Sequence, residues 1–230
     1  MVTGPSKPLA AVVPILLSLN AGYVDTAGFI ALHGLFTAHV TGNFVTIGAA
    51  TVFGTTGVVT KLFALPTFCI TLLALRLLHF RLANRGWPVL RALLGFQFLM
   101  LGLGAILAIG HGPFPSGDDW PAMVTGLLLV VGMATQNGAH RVHLSNTPPS
   151  TMMTGTTTQI MLDLGDLMHG TTPEERDAIR ARLARMGQAV IAFATGCAAA
   201  ALLFATLGNW CFALPPLLVL AACLHPGTRT

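Results

Sequence analysis

The chain has 230 residues, of which 53% are hydrophobic and only 9% are charged, and its mean hydropathy is +0.73. Soluble domains carry roughly 25% charged residues, so this chain has too little charge to cover a soluble surface. Its net charge of +4 comes without a basic stripe interleaved with aromatic residues, which argues against nucleic acid as a partner. The composition predicts an integral membrane protein whose first partner is the lipid bilayer.

Six stretches are apolar enough to cross a bilayer, since a spanning helix needs about 20 mostly apolar residues. In chain order they are 8–32, 62–80, 89–110, 121–139, 188–207 and the shorter 210–224. The first run continues past Asn20 and further spans follow it, which favours a transmembrane helix over a signal peptide. The expected fold is an all-α polytopic membrane protein with about six transmembrane helices.

Two further segments, 40–52 and 151–168, are rich in Thr and Gly and less hydrophobic than the spans. If both cross, eight spans result and the arginines divide between the two sides. If neither makes a net crossing, Lys61 stands alone on one side, and Arg76 lies within a helix. The basic residues that then share the other side are Lys7, Arg81, Arg85, Arg91, Arg141, Arg176, Arg180, Arg182, Arg185 and Arg229.

Because lysine and arginine favour the cytoplasmic side, six spans are preferred, with both termini in the cytoplasm of a bacterial inner membrane. The two Thr- and Gly-rich segments are then re-entrant or broken helices. A seven-span variant, in which one of them crosses, also fits some of the charges.

A polar pattern occurs once in each half of the chain. A polar helix segment, 20–28 or 132–140, is followed by a Thr-Gly break, and superposing Asp25 on Asn137 brings the two breaks within one residue of register. Because three crossings reverse the side of entry, the repeats 1–111 and 112–230 are expected to be inverted, with a polar site between them near the midplane. The expected pathway residues are Asp25, Thr41, Gly42, Asn43, Gln136, Asn137, Thr154 and Gly155.

Asp25 lies deep in an apolar context, where an ionised carboxylate costs about 2.5 to 3.5 kcal/mol. It is either a proton-relay or substrate-binding acid, or a hydrogen-bond acceptor for a neighbouring segment such as the backbone at 41–43. Gln136 and Asn137 are its neutral counterparts, and interhelical hydrogen bonding is an equal alternative for them. The Thr-Gly breaks either present backbone N–H groups to a solute or serve only to satisfy a broken helix.

The other polar residues give weaker signals. The histidines at 33, 39, 140 and 143 lack the spacing of a zinc site, so neither a metal nor a cofactor is expected; interfacial positions are favoured over a pH-sensing gate. The isolated cysteines read as packing residues. They are Cys69, Cys197, Cys211 and Cys223.

The run Thr172-Pro173-Glu174-Glu175 is typical of a helix N-terminus, with Thr as the N-cap and Glu three residues later. The helix that follows reads as an amphipathic helix on anionic headgroups, or as a connector to the next span. Ala192, Gly196 and Ala200 form a ridge of small residues that faces either a neighbouring helix or a second copy of the chain, so a homo-oligomer stays open.

The stretch from Ala21 to Asp25, together with Phe29, Phe36 and Thr41-Gly42-Asn43, resembles the YoaK-like family of bacterial integral membrane proteins. The resemblance extends over most of the chain and implies a membrane location, but no settled activity. The second copy of the break reads Thr-Gly-Thr, so a role that needs the Asn43 amide is not duplicated.

The expected function is a small-solute transporter or channel with a route between the two halves. The alternative is a non-catalytic membrane scaffold or sensor that docks lipid or protein. A membrane-embedded enzyme is disfavoured, and no catalytic residue is expected, because no Ser/His pair, acid pair or metal constellation gathers on one face.

Overall fold

A computed structural model describes residues 12–228, and the regular secondary structure of these residues is helical. Lys7 and Arg229, which entered the charge pattern, lie outside this range. A short 3-10 helix, Gly208–Ala213, joins the last two α-helices. In chain order the α-helices are α1 (Val12–Ala31), α2 (Gly42–Phe53), α3 (Val58–Ala83), α4 (Val89–His111), α5 (Trp120–His143), α6 (Met153–His169), α7 (Pro173–Leu207) and α8 (Leu214–Leu224).

Five helical segments are long and apolar enough to cross a membrane. They are α1, α3, α4, α5 and the combined segment Pro173–Leu224, which contains α7, the 3-10 helix and α8. The first five predicted spans therefore coincide with long helices. The sixth, 210–224, does not form a long helix of its own, since α8 has 11 residues. At 1.5 Å per residue α8 covers about 16 Å, roughly half of a bilayer core.

The segment between α1 and α3 returns to the end of the bundle from which it started. After α1 the backbone turns at His33, which has a positive φ of 54°, and the loop runs back along α1 to the level of Asp25. Helix α2 then leads outward again, and the Thr56 hydroxyl lies 3.1 Å from Nδ1 of His33. This loop and α2 together form what we call the first hairpin.

The segment between α5 and α7 repeats this path from the other end. The loop after α5 runs back along that helix, so that Thr147 contacts His140 and Thr151 contacts Asn137, at 3.1 and 3.0 Å. Helix α6 then leads outward to the start of α7. The loop and α6 form the second hairpin, which begins beside Pro14 at the start of α1.

The small-residue ridge on α7 packs against α1 of the same chain. Ala192, Gly196 and Ala200 are buried, and a Cβ atom at Gly196 would fall well inside van der Waals contact with the carbonyl oxygen of Leu19. Gly22 on α1 approaches the Phe193 carbonyl in the same way. The ridge therefore serves the contact between neighbouring helices, because only residues without a Cβ allow two backbones to come this close.

The predicted N-terminus of α7 is confirmed, since the Thr172 and Glu175 side chains each bond the other's backbone N–H. Of the two predicted alternatives, a connector to the next span is favoured over a helix on the headgroups, because α7 is one continuous helix of 35 residues. Its length of about 52 Å exceeds a hydrocarbon core by roughly 20 Å. A helix longer than the hydrocarbon core that continues into a span can extend outward from the bilayer, which suits the connector alternative for the N-terminal part of α7.

Asp163 on α6 fastens the second hairpin to this extension. Its carboxylate is fully buried and accepts two hydrogen bonds from the Arg182 guanidinium, at 2.7 and 2.6 Å, and one from the Gln159 amide at 2.7 Å. The Arg182 guanidinium holds the pKa of the Asp163 carboxyl below its usual value. The pair therefore stabilises the folded state above the usual pKa, and this stabilisation is lost as the pH falls through the lower pKa of the folded protein.

We expect Asp163→Asn to lower the melting temperature at pH 7 by several degrees, because the variant leaves Arg182 without its carboxylate. The difference from the unaltered protein is expected to narrow as the pH falls from about 4 through the lowered pKa of the folded state, below which the carboxylate is protonated in both states. Thermal unfolding of the detergent-purified protein across pH checks this. Asp177→Asn, at an exposed acid on α7, is the matched control. An equal loss at every pH would contradict the ion-pair explanation.

The other end of the bundle is closed by the loop before α5. Asp118 accepts hydrogen bonds from the backbone N–H groups of Gly57 and Thr60, at 2.9 and 3.0 Å. Burial opposes ionisation of this carboxyl, but the N–H donors outweigh burial and hold the pKa of Asp118 below its usual value. The start of α3 and the start of α5 are thereby fixed side by side, at the same end as the turn after α1.

Candidate functional site

Asp25 is the anchor of the first hairpin. Its side chain is buried, and Oδ1 accepts the backbone N–H groups of Thr37 and Ala38, at 2.7 and 2.8 Å. Oδ2 lies 2.5 Å from Nδ1 of His39. The carboxylate is thus a hydrogen-bond acceptor for a neighbouring segment. The segment is 37–39, however, and not the predicted 41–43, because the chain has already turned back at His33.

The same contact recurs in the second half with neutral groups. The Asn137 amide donates to the Thr151 hydroxyl at 3.0 Å, and Asn137 and Thr151 are 14 residues apart, as are Asp25 and His39. Superposing Asp25 on Asn137 therefore also places His39 on Thr151. The backbone of Thr151 lies beside the His39 ring. The tips of the two hairpins meet at this point.

A closed polar network fills the bundle centre, where α1, α4 and α5 cross. The Gln136 carbonyl oxygen accepts from the amides of Asn20 and Gln97, at 2.9 and 2.8 Å. The Gln136 amide nitrogen donates to the Leu17 carbonyl and to the Ser150 hydroxyl, at 2.8 and 3.0 Å. The three amide side chains have no exposed surface, so Gln136 serves interhelical hydrogen bonding in this structure.

The first Thr-Gly break fits the second of its two predicted alternatives, a broken helix whose backbone groups are satisfied. The Asn43 side chain bonds both the N–H and the C=O of Phe36, at 2.9 and 2.8 Å. The first N–H groups of α2 bond to carbonyls of the preceding turn, such as Gly42 N–H to the His39 oxygen at 2.8 Å. Thr41 makes no side-chain cap. The start of α2 is therefore a satisfied helix end rather than an array of free N–H groups.

Two cavities of similar size lie in equivalent places in the two halves. The α1–α7 cavity has a volume of about 480 Å³ and is lined by Asp25, Thr26, Phe29, Phe36, His39, Gly42, Phe193 and Cys197. The α3–α5 cavity has a volume of about 460 Å³ and is lined by Phe68, Leu72, Leu75, Arg76, His79, Leu93, Asn137, Gly138, Ala139, Arg141, Val142 and Met152. The superposition of Asp25 on Asn137 also carries Thr26 onto Gly138 and Phe29 onto Arg141.

The structure distributes the predicted pathway residues over several places. Asp25 and Gly42 line one cavity and Asn137 lines the other, while Gln136 and Asn43 are enclosed by their hydrogen bonds. The remaining three are exposed and line neither cavity. They are Thr41, Thr154 and Gly155.

Sequence reasoning missed Gln97, Arg76 and the role of His39. Gln97 is the only strongly polar side chain inside the apolar run of α4 beyond its first turn. A single amide in such a run indicates a buried hydrogen-bond partner on another helix. In the sequence Arg76 stands out only as a charge within a helix. Within residues 12–228, no group of three or more His, Cys, Asp or Glu side chains is arranged to hold a metal ion.

Long apolar helices joined by two hairpins that return to their own end define a multi-pass helical membrane protein. The chain belongs to the DUF1275 family of proteins of unknown function, whose family model matches residues 13–225. No curated protein and no solved structure matches the chain. The predicted resemblance is thus supported as membership of a family of unknown function, and the YoaK-like name stays a prediction.

Proposed function

We propose that the protein is a small-solute transporter of the bacterial inner membrane, with a route that joins the two cavities where the hairpin tips meet. One observation carries the proposal: each half holds a cavity of similar size beside its own hairpin tip. A solute released from one cavity would reach the other by passing His39 and Thr151. Sites of this kind, at the junction of two inverted repeats, are typical of transporters.

The packing of the helices supports an inverted repeat. Exchange of the two halves maps the α1–α7 contact onto α3–α5, the α2–α3 contact onto α6–α7, and the α4–α5 contact onto α1–α8. Helices α1 and α5 run antiparallel, since Asn20 contacts Gln136 and Pro14 lies near Thr147. The repeats proposed as 1–111 and 112–230 then divide at the end of α4, which is His111.

The distribution of charge supports the orientation. Most arginines lie at one end of the bundle: at the start of the second hairpin, in the α3–α4 turn and in the α7 extension. Lys61 lies at the other end, beside Asp118. By the positive-inside rule the arginine-rich end faces the cytoplasm, and α1 begins there. The α3–α5 cavity would then belong to the cytoplasmic half and the α1–α7 cavity to the external half.

The closed centre favours an alternating transporter over a permanently open channel. The network around Gln136 excludes solvent, so the two cavities do not join in this conformation. Passage requires the hairpin tips to move relative to α1 and α5. Only a few hydrogen bonds hold each hairpin tip, as expected for an element that switches between two positions.

Flux into proteoliposomes tests the proposal, with a panel of small anions, cations and neutral solutes. We expect uptake of at least one class, and we expect Thr26→Trp to remove most of that uptake by filling the α1–α7 cavity. Thr206→Trp is the matched control, because Thr206 lies on an exposed part of α7. Absence of flux for every class, or equal flux through both variants, would overturn the proposal.

A membrane scaffold is the second candidate. The observation in its favour is the extension formed by α6 and the start of α7, which is long enough to leave the bilayer and carries four arginines. Two results together would replace transport by the scaffold explanation. No solute moves while a second protein co-purifies, and replacement of both Asp163 and Arg182 releases that protein.

A further inference from the structure

We propose that the α3–α5 cavity binds an amphipathic anion, that is, a carboxylate or phosphate group carried on an apolar body. The claim that such an anion is also the transported solute rests on the proposed function, whereas the binding site does not. The two halves of the molecule differ in charge at this point, since Phe29 in one cavity corresponds to Arg141 in the other.

The charged groups of this cavity are all cations or imidazoles. Arg76 and Arg141 both line it, together with His79, and the His143 ring lies 5.3 Å from the His79 ring. Among residues 12–228 the only carboxylate contacts to basic side chains are Asp25 with His39 and Asp163 with Arg182. The two guanidinium groups of the cavity are therefore without a protein counter-ion.

The contacts that the two guanidinium groups do make are weak ones. Arg76 stacks over the Phe80 ring, with its central carbon 4.4 Å from the ring centroid, and Arg141 donates to the Met152 sulfur at 3.1 Å. A thioether is a poor acceptor. Nδ1 of His79 and Nε2 of His143 are buried without a hydrogen-bond partner. Two guanidinium groups without a carboxylate partner and a His79 ring nitrogen without a hydrogen-bond partner thus lie at one cavity, where a ligand with acceptor oxygens could bond to them.

The rest of the cavity is apolar and matches a hydrocarbon or aromatic body. Phe68, Leu72, Leu75 and Leu93 line its inner part, and Leu75 and Leu93 are also buried in the bundle. A volume of about 460 Å³ falls within the range of small-molecule sites, which is about 300 to 1,000 Å³. An anion with an apolar body satisfies both parts of the cavity, whereas an inorganic ion would leave the apolar part without a partner.

The anion can come from two sources, a soluble organic acid or the headgroup of an anionic phospholipid, because a basic pocket between helices suits both. Equilibrium binding of octanoate to the full chain in phosphatidylcholine nanodiscs tests the shared chemistry, with octanamide as the neutral analogue. We expect octanoate to bind and octanamide to bind at least tenfold more weakly. Replacement of part of the phosphatidylcholine by phosphatidylglycerol identifies the source: weakened octanoate binding assigns the site to the lipid, and unchanged binding assigns it to the soluble acid.

Arg76→Gln is expected to weaken octanoate binding about tenfold or more, since the exchange removes a charge-assisted hydrogen bond to the carboxylate. Arg76 is exposed, so the variant is expected to fold. Arg81→Gln is the matched control, because Arg81 lies on the same helix and does not line the cavity. An equal effect of the two exchanges, or no preference for octanoate over octanamide, would overturn the proposal.

Flux measured on the same preparations separates this proposal from the proposed function. Octanoate binding that depends on Arg76, without flux of any solute, would keep the site and remove the transport proposal. Flux of neutral solutes, without octanoate binding, would keep transport and remove the anion site.

Discussion

Gly196→Ala is expected to disrupt the bundle, with a loss of about 3 kcal/mol or more in the free energy of unfolding. The added methyl group would press against the backbone carbonyl of Leu19. A backbone oxygen cannot rotate aside as a side chain can, so α1 and α7 must separate along the length of their contact. Thermal unfolding and the yield of monodisperse protein in detergent check the effect.

Gly187→Ala is the matched control for this exchange. It lies on the same helix, and no heavy atom lies within 4 Å of the position of its Cβ. Alanine is the better helix former by up to about 1 kcal/mol, so this variant is expected to be as stable as the unaltered protein or slightly more stable. Equal behaviour of the two variants would contradict the close contact between α1 and α7.

Asp25→Ala is the second large effect that we expect. The exchange leaves the buried N–H groups of Thr37 and Ala38 without an acceptor, and an unsatisfied buried group costs about 1 to 3 kcal/mol. The first hairpin is expected to detach from α1, with loss of thermal stability and faster hydrogen exchange in 34–41. Hydrogen-exchange mass spectrometry localises the change.

Asp25→Asn separates the two roles of this side chain. The amide oxygen can still accept from Thr37 and Ala38, so most of the stability and the solute flux are expected to survive. A proton-relay acid would instead lose the pH dependence of uptake in this variant while the hairpin stays in place. Equal destabilisation by alanine and asparagine would show that the contact with His39, not the loop backbone, holds the hairpin.

The sequence was sufficient for the parts of the fold that depend on composition and local signals. The long apolar runs predicted α1, α3, α4, α5 and the membrane part of α7, because hydrocarbon requires a helix wherever an apolar segment spans it. The N-terminus of α7 was predicted from Thr172 and Glu175, because a capping box is a local interaction between residues three apart.

The predictions that the structure changes concern residues whose partners are distant in the chain. The start of α7 reads as amphipathic, but its binding partner, Asp163, is on another helix, so the sequence could not distinguish a membrane surface from a protein surface. The acceptor role of Asp25 was among the predicted alternatives. The sequence places its donors a few residues too late, because the turn at His33 has a positive φ that residues other than glycine seldom adopt.

The candidate site was predicted in outline and not in detail. The repeat pointed to Asp25 and Asn137, and the structure gives them equivalent contacts with His39 and Thr151. It did not point to Gln97, whose partner Gln136 lies 39 residues away. Nor did it reveal the two cavities, since a cavity is formed by side chains of several helices and leaves no periodic signal.

Side-specific labelling tests the inverted arrangement of the two hairpins most directly. Thr55 follows the first hairpin, Asn146 lies in the loop of the second hairpin, and both are exposed. Thr55→Cys and Asn146→Cys can therefore each be treated with a membrane-impermeant maleimide on intact cells and on inverted vesicles. The unaltered chain, with its four cysteines in or beside apolar helices, gives the background. We expect Thr55→Cys to label only from outside and Asn146→Cys only from the cytoplasm. Labelling of both from the same side would contradict the inverted repeat and the route between its halves.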